Sequence, residues 1–226
     1  MPQVIDQIFP TMYVSGEILD ALLAHGWRRT SDYFFRMNIS AHGEDTFTVL
    51  PLRIALNEFR LSKSQKRIWN KNADTTCRIL PTTINDEKLL LFDKHKVRFG
   101  ETAPESLSVY LSPSPGNFPC TNFEFDVYKC GKLIAVSFLD IGSESTSALY
   151  AMFDPEEEKR GLGIYTMLKE IEWSSNNKKI YYYPGYTYKE PSFYDYKKNF
   201  HGLQQFNWEK SKWIHFPKKG FSSIKN

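Results

Sequence analysis

Three runs of strand-forming residues end at Asp154-Pro155, and a Gly161-x-Gly163 turn then opens directly into a helix. This order constrains the second half of the chain more than any other feature. Phe123, Phe125 and Val127 alternate with polar residues, while KLIAVSFLD follows Gly131 and SALYAMFD follows the polar GSEST, which is the pattern of an antiparallel meander. After the turn, Ile164, Met167, Leu168 and Ile171 recur at helical spacing. A glycine turn at the start of a helix leaves backbone N–H groups unpaired at the positive end of the helix dipole, where an anion can be cradled. KIYYYPGY returns as a short aromatic strand interrupted by Pro184-Gly185, and a last strand is expected near Lys212 to Phe216.

Meander, glycine turn, helix and strand in that order are expected of a GNAT-like core. The fold expected is α+β and GNAT-like, in a duplicated, tandem arrangement with a smaller N-terminal half. The boundary is expected near residue 100, giving an N-terminal α+β half with a basic helix over 1–100 and a GNAT-like half over 101–226. In the first half, Ser15 precedes an amphipathic run with Ile18, Leu19, Leu22 and Leu23 on one face and Gly26 at its stop, predicting a helix over about 16–25. Tyr33 to Met37 and Phe47 to Ile54 read as a strand pair around the turn-rich SAHGED. Ser62 caps a second predicted helix and Asn85 a third, which ends at Gly100. The proline-rich ETAPESLSVYLSPSPGNFPC reads as a connector.

Hydrophobic residues make up 41% of the 226 residues and aromatics 15%, enough for a sizeable core. No apolar run approaches the roughly 20 residues that cross a bilayer, and MPQVIDQIFP lacks the charged and apolar regions of a signal peptide. No membrane association is expected, and the cytoplasm is the expected location. Cys77, Cys120 and Cys130 are odd in number and carry no CxxC spacing, which removes a disulfide framework and a four-cysteine zinc site and favours a reducing compartment. The net charge of +3 diagnoses no partner by itself. Its placement is more telling: six Lys or Arg stand against one acid, Glu58, between Arg53 and Lys71, and the tail from Lys189 to Lys219 is again basic with aromatics between.

Four segments together resemble the arginyl- and leucyl-tRNA–protein transferases of the N-degron pathway. ILDALLAHGWRRTSDYFFR followed by VLPLRI is similar to that family's opening helix and strand, and FRLSKSQKRIWNKNAD to its basic helix. VSFLDIGSESTSALYAMFDPEEEKRGLGIYTMLKEIEW resembles its most specific stretch, and YYYPGYTY with the later DYKKNF its tyrosine-rich strand and Tyr-Lys pair. The match runs in order over about four-fifths of the chain. The sequence departs from the family in one respect. Where the family carries cysteine clusters near its N-terminus, this chain has RMNISAHGEDTFTVLPLRI, without cysteine and with only His42, so no bound metal or iron–sulfur cluster is expected.

The resemblance implies attack by an α-amine on the ester that joins an amino acid, arginine or leucine, to the 3′ end of tRNA. The expected partners are therefore a charged tRNA, which is the co-substrate in place of any cofactor, and an amine on a protein, peptide or small molecule. An α-amine with a pKa near 8 is roughly one-tenth free at neutral pH, and the ester is already activated, so orientation and oxyanion stabilisation suffice.

Lys63, Lys66, Arg67 and Lys71 project within about 140° of one helix face and are candidates for tRNA phosphates, with Asn72 beside them; a solvated charged face is the alternative. Asp140 and Asp154, which end successive strands, are candidates to hold the incoming ammonium or take its proton, and Asp154 also fits a helix N-cap before Pro155. Tyr186 is the candidate oxyanion donor. Gly161, Gly163, Tyr165, Tyr183 and Gly185 are expected at the substrate, with core packing the alternative for the tyrosines. Tyr196 and Lys197 form a candidate clamp for a carboxylate or phosphate, and Arg160 a candidate partner for an acidic acceptor side chain.

Two other readings remain open on sequence. The glycine turn would hold the pyrophosphate of coenzyme A in an acyl-CoA N-acyltransferase, against which Glu158 and its acidic neighbours stand, or it would serve only close helix–sheet packing. A non-catalytic module binding N-termini or tRNA is the third.

Overall fold

The structure is a computed structural model and describes residues 4–217 apart from 12 and 44. Lys218 and Lys219 of the basic tail and the first three residues lie outside the described residues. The chain builds a mixed α/β fold around a nine-stranded mixed sheet, with a separate three-stranded sheet near its start.

The small sheet consists of β1 (Asp6–Pro10), β2 (Arg28–Thr30) and β3 (Tyr33–Met37), with β3 in the middle. Helix α1 (Gly16–Ala24) leads into it, its start capped by Ser15 Oγ, which accepts from the Ile18 amide, and its buried face formed by Leu19 and Leu23. The expected pairing of Tyr33–Met37 with the following strand is not formed. β3 pairs instead with β1 and β2, and β4 (Ile39–His42) makes the hairpin with β5 (Asp45–Ala55). A turn-rich segment marks a reversal, but the register on either side is set by which residues can be buried. Phe34 is fully enclosed against Leu19 and Leu23, a contact that pairing with β5 would remove.

Helix α2 (Lys63–Lys71) begins in a capping box in which Ser62 and Gln65 satisfy each other's backbone amides. β6 (Thr76–Pro81) and α3 (Asp86–Lys96) follow, and then the meander β7 (Asn122–Lys129), β8 (Lys132–Ile141) and β9 (Ser145–Phe153). The remaining elements are α4 (Leu162–Asn176), β10 (Tyr181–Tyr188), β11 (Leu203–Asn207) and β12 (Lys212–His215).

Across the large sheet the order is β12, β11, β5, β10, β9, β8, β7, β6, with β4 also on β5. β5 and β6, from the first hundred residues, flank strands of the second half, so the boundary expected near residue 100 cuts across one sheet. β8 is buried along eight consecutive positions because helices cover both faces. On one face α4 lays Leu168 and Ile171 against Leu52, Phe125 and Tyr182. On the other, α3 packs Leu91 and Phe92 over Val136, Phe138 and Met152. The proline-rich segment expected to be a connector contributes Leu107 and Leu111 to that second core, so it is part of the packing.

Candidate functional site

β9 and β10 are the parallel neighbours in this sheet, and they pair over only three residues each, Tyr181–Tyr183 with Ser145–Ser147. Pro184 then has no N–H to donate, and Gly185 adopts φ 100°, a conformation that favours glycine. The register of β10 against β5 shifts between Tyr182 and Gly185, and β9 and β10 part. Between them opens a cavity of about 540 Å³.

Arg28, on β2, closes the apex of this split. Its guanidinium donates to the Ala148 carbonyl on β9 at 2.6 Å and to the Tyr183 carbonyl on β10 at 3.4 Å, so one side chain satisfies backbone acceptors that strand pairing abandons. The adjacent Arg29 makes a bidentate pair with Asp140 on β8, at 2.6 and 2.9 Å, fully buried. Together the two arginines pin the small sheet onto the large one.

One wall of the cavity comes from α4. Glu170 is 1% exposed, its Oε2 accepts a 2.5 Å hydrogen bond from the Tyr182 hydroxyl, and its Oε1 is buried without a formed hydrogen bond. Burial pushes this carboxyl up to about 7, against the opposing effect of the Tyr182 and Ser137 hydroxyls. The opposite lip is the 3-10 segment Phe193–Asn199, which presents Tyr194, Tyr196 and Lys197. Lys197 Nζ donates to the Tyr186 carbonyl at 3.3 Å. Burial, and then the nearby Arg28, bring its ammonium down to about 7. Burial also raises the Tyr186 hydroxyl above its ordinary range, so it remains a protonated donor at neutral pH. A third wall stacks Tyr110 on Tyr150 with centroids 3.8 Å apart.

The glycine turn sits at the cavity mouth. Asp154 caps the 3-10 segment Pro155–Arg160, accepting from the Glu156 amide at 3.1 Å, and Gly161 ends it at φ 68° before α4 starts. Docked against the turn is α2. Arg160 forks onto Asp74 at 2.8 and 2.9 Å, Asn72 Nδ2 donates to the Arg160 carbonyl at 3.0 Å, and Ile68 packs on Gly161. Between α2 and the turn lies a second concavity of about 380 Å³, lined by Arg67, Lys71 and Lys159. It shares Glu158 and Gly161 with the larger cavity.

Of the residues expected from sequence, Gly161, Gly163, Gly185, Tyr186, Tyr196 and Lys197 line the cavity together. Lys63, Lys66, Arg67 and Lys71 are exposed on α2, as a phosphate-binding face requires, with Lys71 also donating to the Lys159 carbonyl.

The remaining candidates lie elsewhere. Asp140 and Asp154, candidates because they end successive strands, do not come together. Because β8 and β9 are antiparallel, their ends fall at opposite ends of the sheet: Asp140 is level with Ser147, and Asp154 lies seven residues further, roughly 23 Å at about 3.3 Å per residue. Both carboxylates are occupied, Asp140 by Arg29 and Asn122, Asp154 by its cap and Lys132 at 2.8 Å. Burial alone would raise Asp154, but Lys132 and the Glu156 amide hold it below the usual carboxylate range. Tyr183 points into the N-terminal core against Trp213. Tyr165 packs on Trp69 at 5.8 Å and meets Thr75. Arg160 is held by Asp74 and Glu157, and Asn72, 1% exposed, bridges α2 to the turn, so both are structural ties.

Arg28 and Glu170 are cavity residues that the sequence argument missed. Glu170 carried little signal: at about 100° per residue it falls roughly 60° outside the apolar stripe of Ile164, Met167, Leu168 and Ile171, where a carboxylate reads as solvent-facing. Arg28 carried little, since a basic pair after Trp27 reads as ordinary surface until the chain is folded.

A buried carboxyl, a half-buried amine and a tyrosine donor in one cavity, with a cationic groove at its mouth, suit transfer of an acyl group to an amine. Sequence comparison identifies the family. Residues 84–207 match the model of the arginine-tRNA-protein transferase C terminus and residues 3–67 that of its N terminus. An aspartate/glutamate leucyltransferase from Campylobacter jejuni strain 81-176 is 31% identical over 192 residues, covering 82% of this chain and 78% of that protein. Another from Saccharophagus degradans is 30% identical over 193 residues, covering 84% and 80%. Among solved structures, the C-terminal domain of a lysylphosphatidylglycerol synthetase from Agrobacterium fabrum is 13% identical with a TM-score of 0.47, over 60% of this chain and 45% of that one. The chain belongs to the arginine-tRNA–protein transferase family. It is an aminoacyltransferase, of the class that carries out tRNA-dependent aminoacyl transfer to protein N-termini.

Proposed function

We propose that this chain transfers leucine from leucyl-tRNA to the α-amine of proteins that begin with aspartate or glutamate, as the names of its relatives describe for them. One observation carries the reading: the cationic groove on α2 and the cavity between β9 and β10 share the Gly161 turn. Phosphates near the tRNA 3′ end lie along Arg67, Lys71 and Lys159, and the terminal ester crosses the turn into the cavity. Glu158, which the two concavities share, leans toward Arg98 at 3.4 Å and leaves the turn to the backbone amides. The splayed strands, glycine turn and helix support a GNAT-like reading of residues 101–226 together with β5, with β1–β3 and α1 as the reduced remainder of a second repeat.

Within the cavity, the acceptor's α-ammonium gives a proton to Glu170, whose carboxyl near 7 is matched to an amine near 8. The free amine attacks the ester carbonyl carbon, the oxyanion is met by the Tyr186 hydroxyl, and the bond to the ribose 3′ oxygen breaks as the peptide bond remains. The departing ribose oxygen takes up the proton that the nitrogen releases. Aminoacyl-tRNA is the co-substrate, and this sequence of steps calls on no metal or prosthetic group because the ester is already activated.

The test is incubation with separately charged leucyl-tRNA and arginyl-tRNA and with peptides beginning in Asp, Glu, Arg and Lys. The expected result is a gain of one leucine residue on the Asp and Glu peptides, abolished by ribonuclease. Acylation from acetyl-CoA under the same conditions, without any from tRNA, would overturn it.

A further inference from the structure

Two cations, buried Arg28 and half-buried Lys197 with its ammonium 4.9 Å over the Tyr194 ring, meet at one end of the cavity. A methyl group placed on Gly185 would lie 3.1 Å from Lys197 Nζ and 3.4 Å from Arg28 Nη2, so the two groups border one point from different sides. Neither forms an ion pair with a carboxylate among the described residues: Arg28 donates to carbonyls of Ala148 and Tyr183, and Lys197 to that of Tyr186. Asp140, the nearest acid acting on Arg28, is already matched by Arg29. Desolvated charges of one sign brought this close together destabilise a fold unless an opposite charge joins them. The arrangement thus turns two cations toward one point of the cavity, floored by a glycine that leaves the space free.

Resting on the aminoacyl-transfer reading above, we propose that Arg28 and Lys197 form the receptor for the side-chain carboxylate of the acceptor's first residue and thereby select acidic N-termini. The planar guanidinium offers a fork and the ammonium a point charge, a set that suits a carboxylate. Phosphates have their own cations at the mouth, on α2 and at Lys159, away from this enclosed end. Asparagine or glutamine would present the same shape without the charge and would leave both cations unmatched, so discrimination is expected to be steep. An N-terminal Lys or Arg is repelled.

The experiment compares kcat/KM for peptides beginning in Asp, Glu, Asn and Gln in the wild type, Lys197→Gln and Lys197→Arg, with thermal unfolding as a check on folding. Binding of the Asp and Asn peptides to the full chain without tRNA is measured in parallel by calorimetry. The wild type is expected to favour Asp over Asn by at least about tenfold. In Lys197→Gln the Asp rate falls until that ratio approaches one, and Lys197→Arg recovers it. An unchanged ratio in a folded Lys197→Gln overturns the receptor assignment, as does a wild type that takes Asn as readily as Asp. If no peptide is aminoacylated while Asp binding remains selective and dependent on Lys197, the receptor stands and the aminoacyl-transfer reading falls. Absence of both overturns both.

Discussion

Glu170 and Tyr182 are joined by a 2.5 Å hydrogen bond in which the tyrosine hydroxyl donates to one carboxylate oxygen, leaving the other without a formed bond in the wall of the cavity. Replacing Glu170 with Gln keeps a carbonyl acceptor for Tyr182 and removes the proton acceptor. The expected loss in kcat is about 10²–10⁴-fold, the usual contribution of a positioned base. In the wild type kcat/KM rises as Glu170 deprotonates near 7. In the variant that limb disappears, while the ionisations of the substrate amine and of Lys197 remain, which a pH series resolves.

The same carboxyl couples stability to pH. Its value in the folded protein, about 7, lies above the 4.5 of an unperturbed glutamate, so the folded state binds its proton more tightly. The benefit of that proton is complete below pH 4.5 and is lost as pH rises through 7. Glu170→Gln is therefore expected to be more stable than the wild type at pH 8.5, by about 3 kcal/mol at most, and equal to it near pH 4, as denaturant titrations would show.

Lys197 titrates in the opposite functional sense. With its ammonium near 7, raising the pH removes the positive charge that an acidic acceptor would meet. KM for an Asp peptide should rise above pH 7, and Lys197→Arg, charged throughout, should flatten that rise; an identical profile in both proteins would contradict it.

Asp140 is held by Arg29 and Asn122, and Asp154 by Lys132 and the Glu156 amide. Asp140→Ala leaves Arg29 buried without its partner and is expected to cost about 3–5 kcal/mol of stability. Asp154→Ala removes an N-cap at about 1 kcal/mol and is expected to leave kcat within about twofold of the wild type. Denaturant unfolding and single-turnover rates measured on the same preparations distinguish the two kinds of loss.

On α2, charge and structure separate cleanly. Lys66→Glu and Arg67→Glu should weaken tRNA binding and reduce the slope of log affinity against log salt by about one per contact, with no change in Tm. Asn72→Ala should lower Tm instead, because its amide ties Ile68 to the turn residue Arg160.

Local signals in the sequence were readable and long-range ones were not. The helix starts after Ser15, Ser62 and Asn85, the meander and the glycine turn each depend on neighbours within a few residues, and each lies where the sequence placed it. The partners of Tyr33–Met37 depended on where Phe34 could be buried, and β1, β2, β6 and β11 are short strands held by tertiary pairing. At the cavity, Tyr186, Tyr196 and Lys197 were legible from the aromatic strand and the Tyr-Lys pair. Arg28 was not, because its position against Gly185 requires the small sheet to pack with β2 beside the split, so that one side chain reaches into the large sheet. The aspartates misled for a geometric reason, since successive ends of an antiparallel meander alternate between the sheet's two ends.

The insertion of β5 between β11 and β10 has a bearing on how such a gene can be cut or recombined. A fragment starting after residue 100 would expose the long flank of β10 from Tyr181 to Tyr188, a tyrosine-rich edge open to pairing with other chains. Co-expressed with residues 1–100, it would instead be expected to recover β5 as a complementing strand. A lineage carrying this fold is thus free to lengthen or trim the loops around the cavity, whereas exchanging either half for a foreign module would mean rebuilding the strand against which Tyr186 lies.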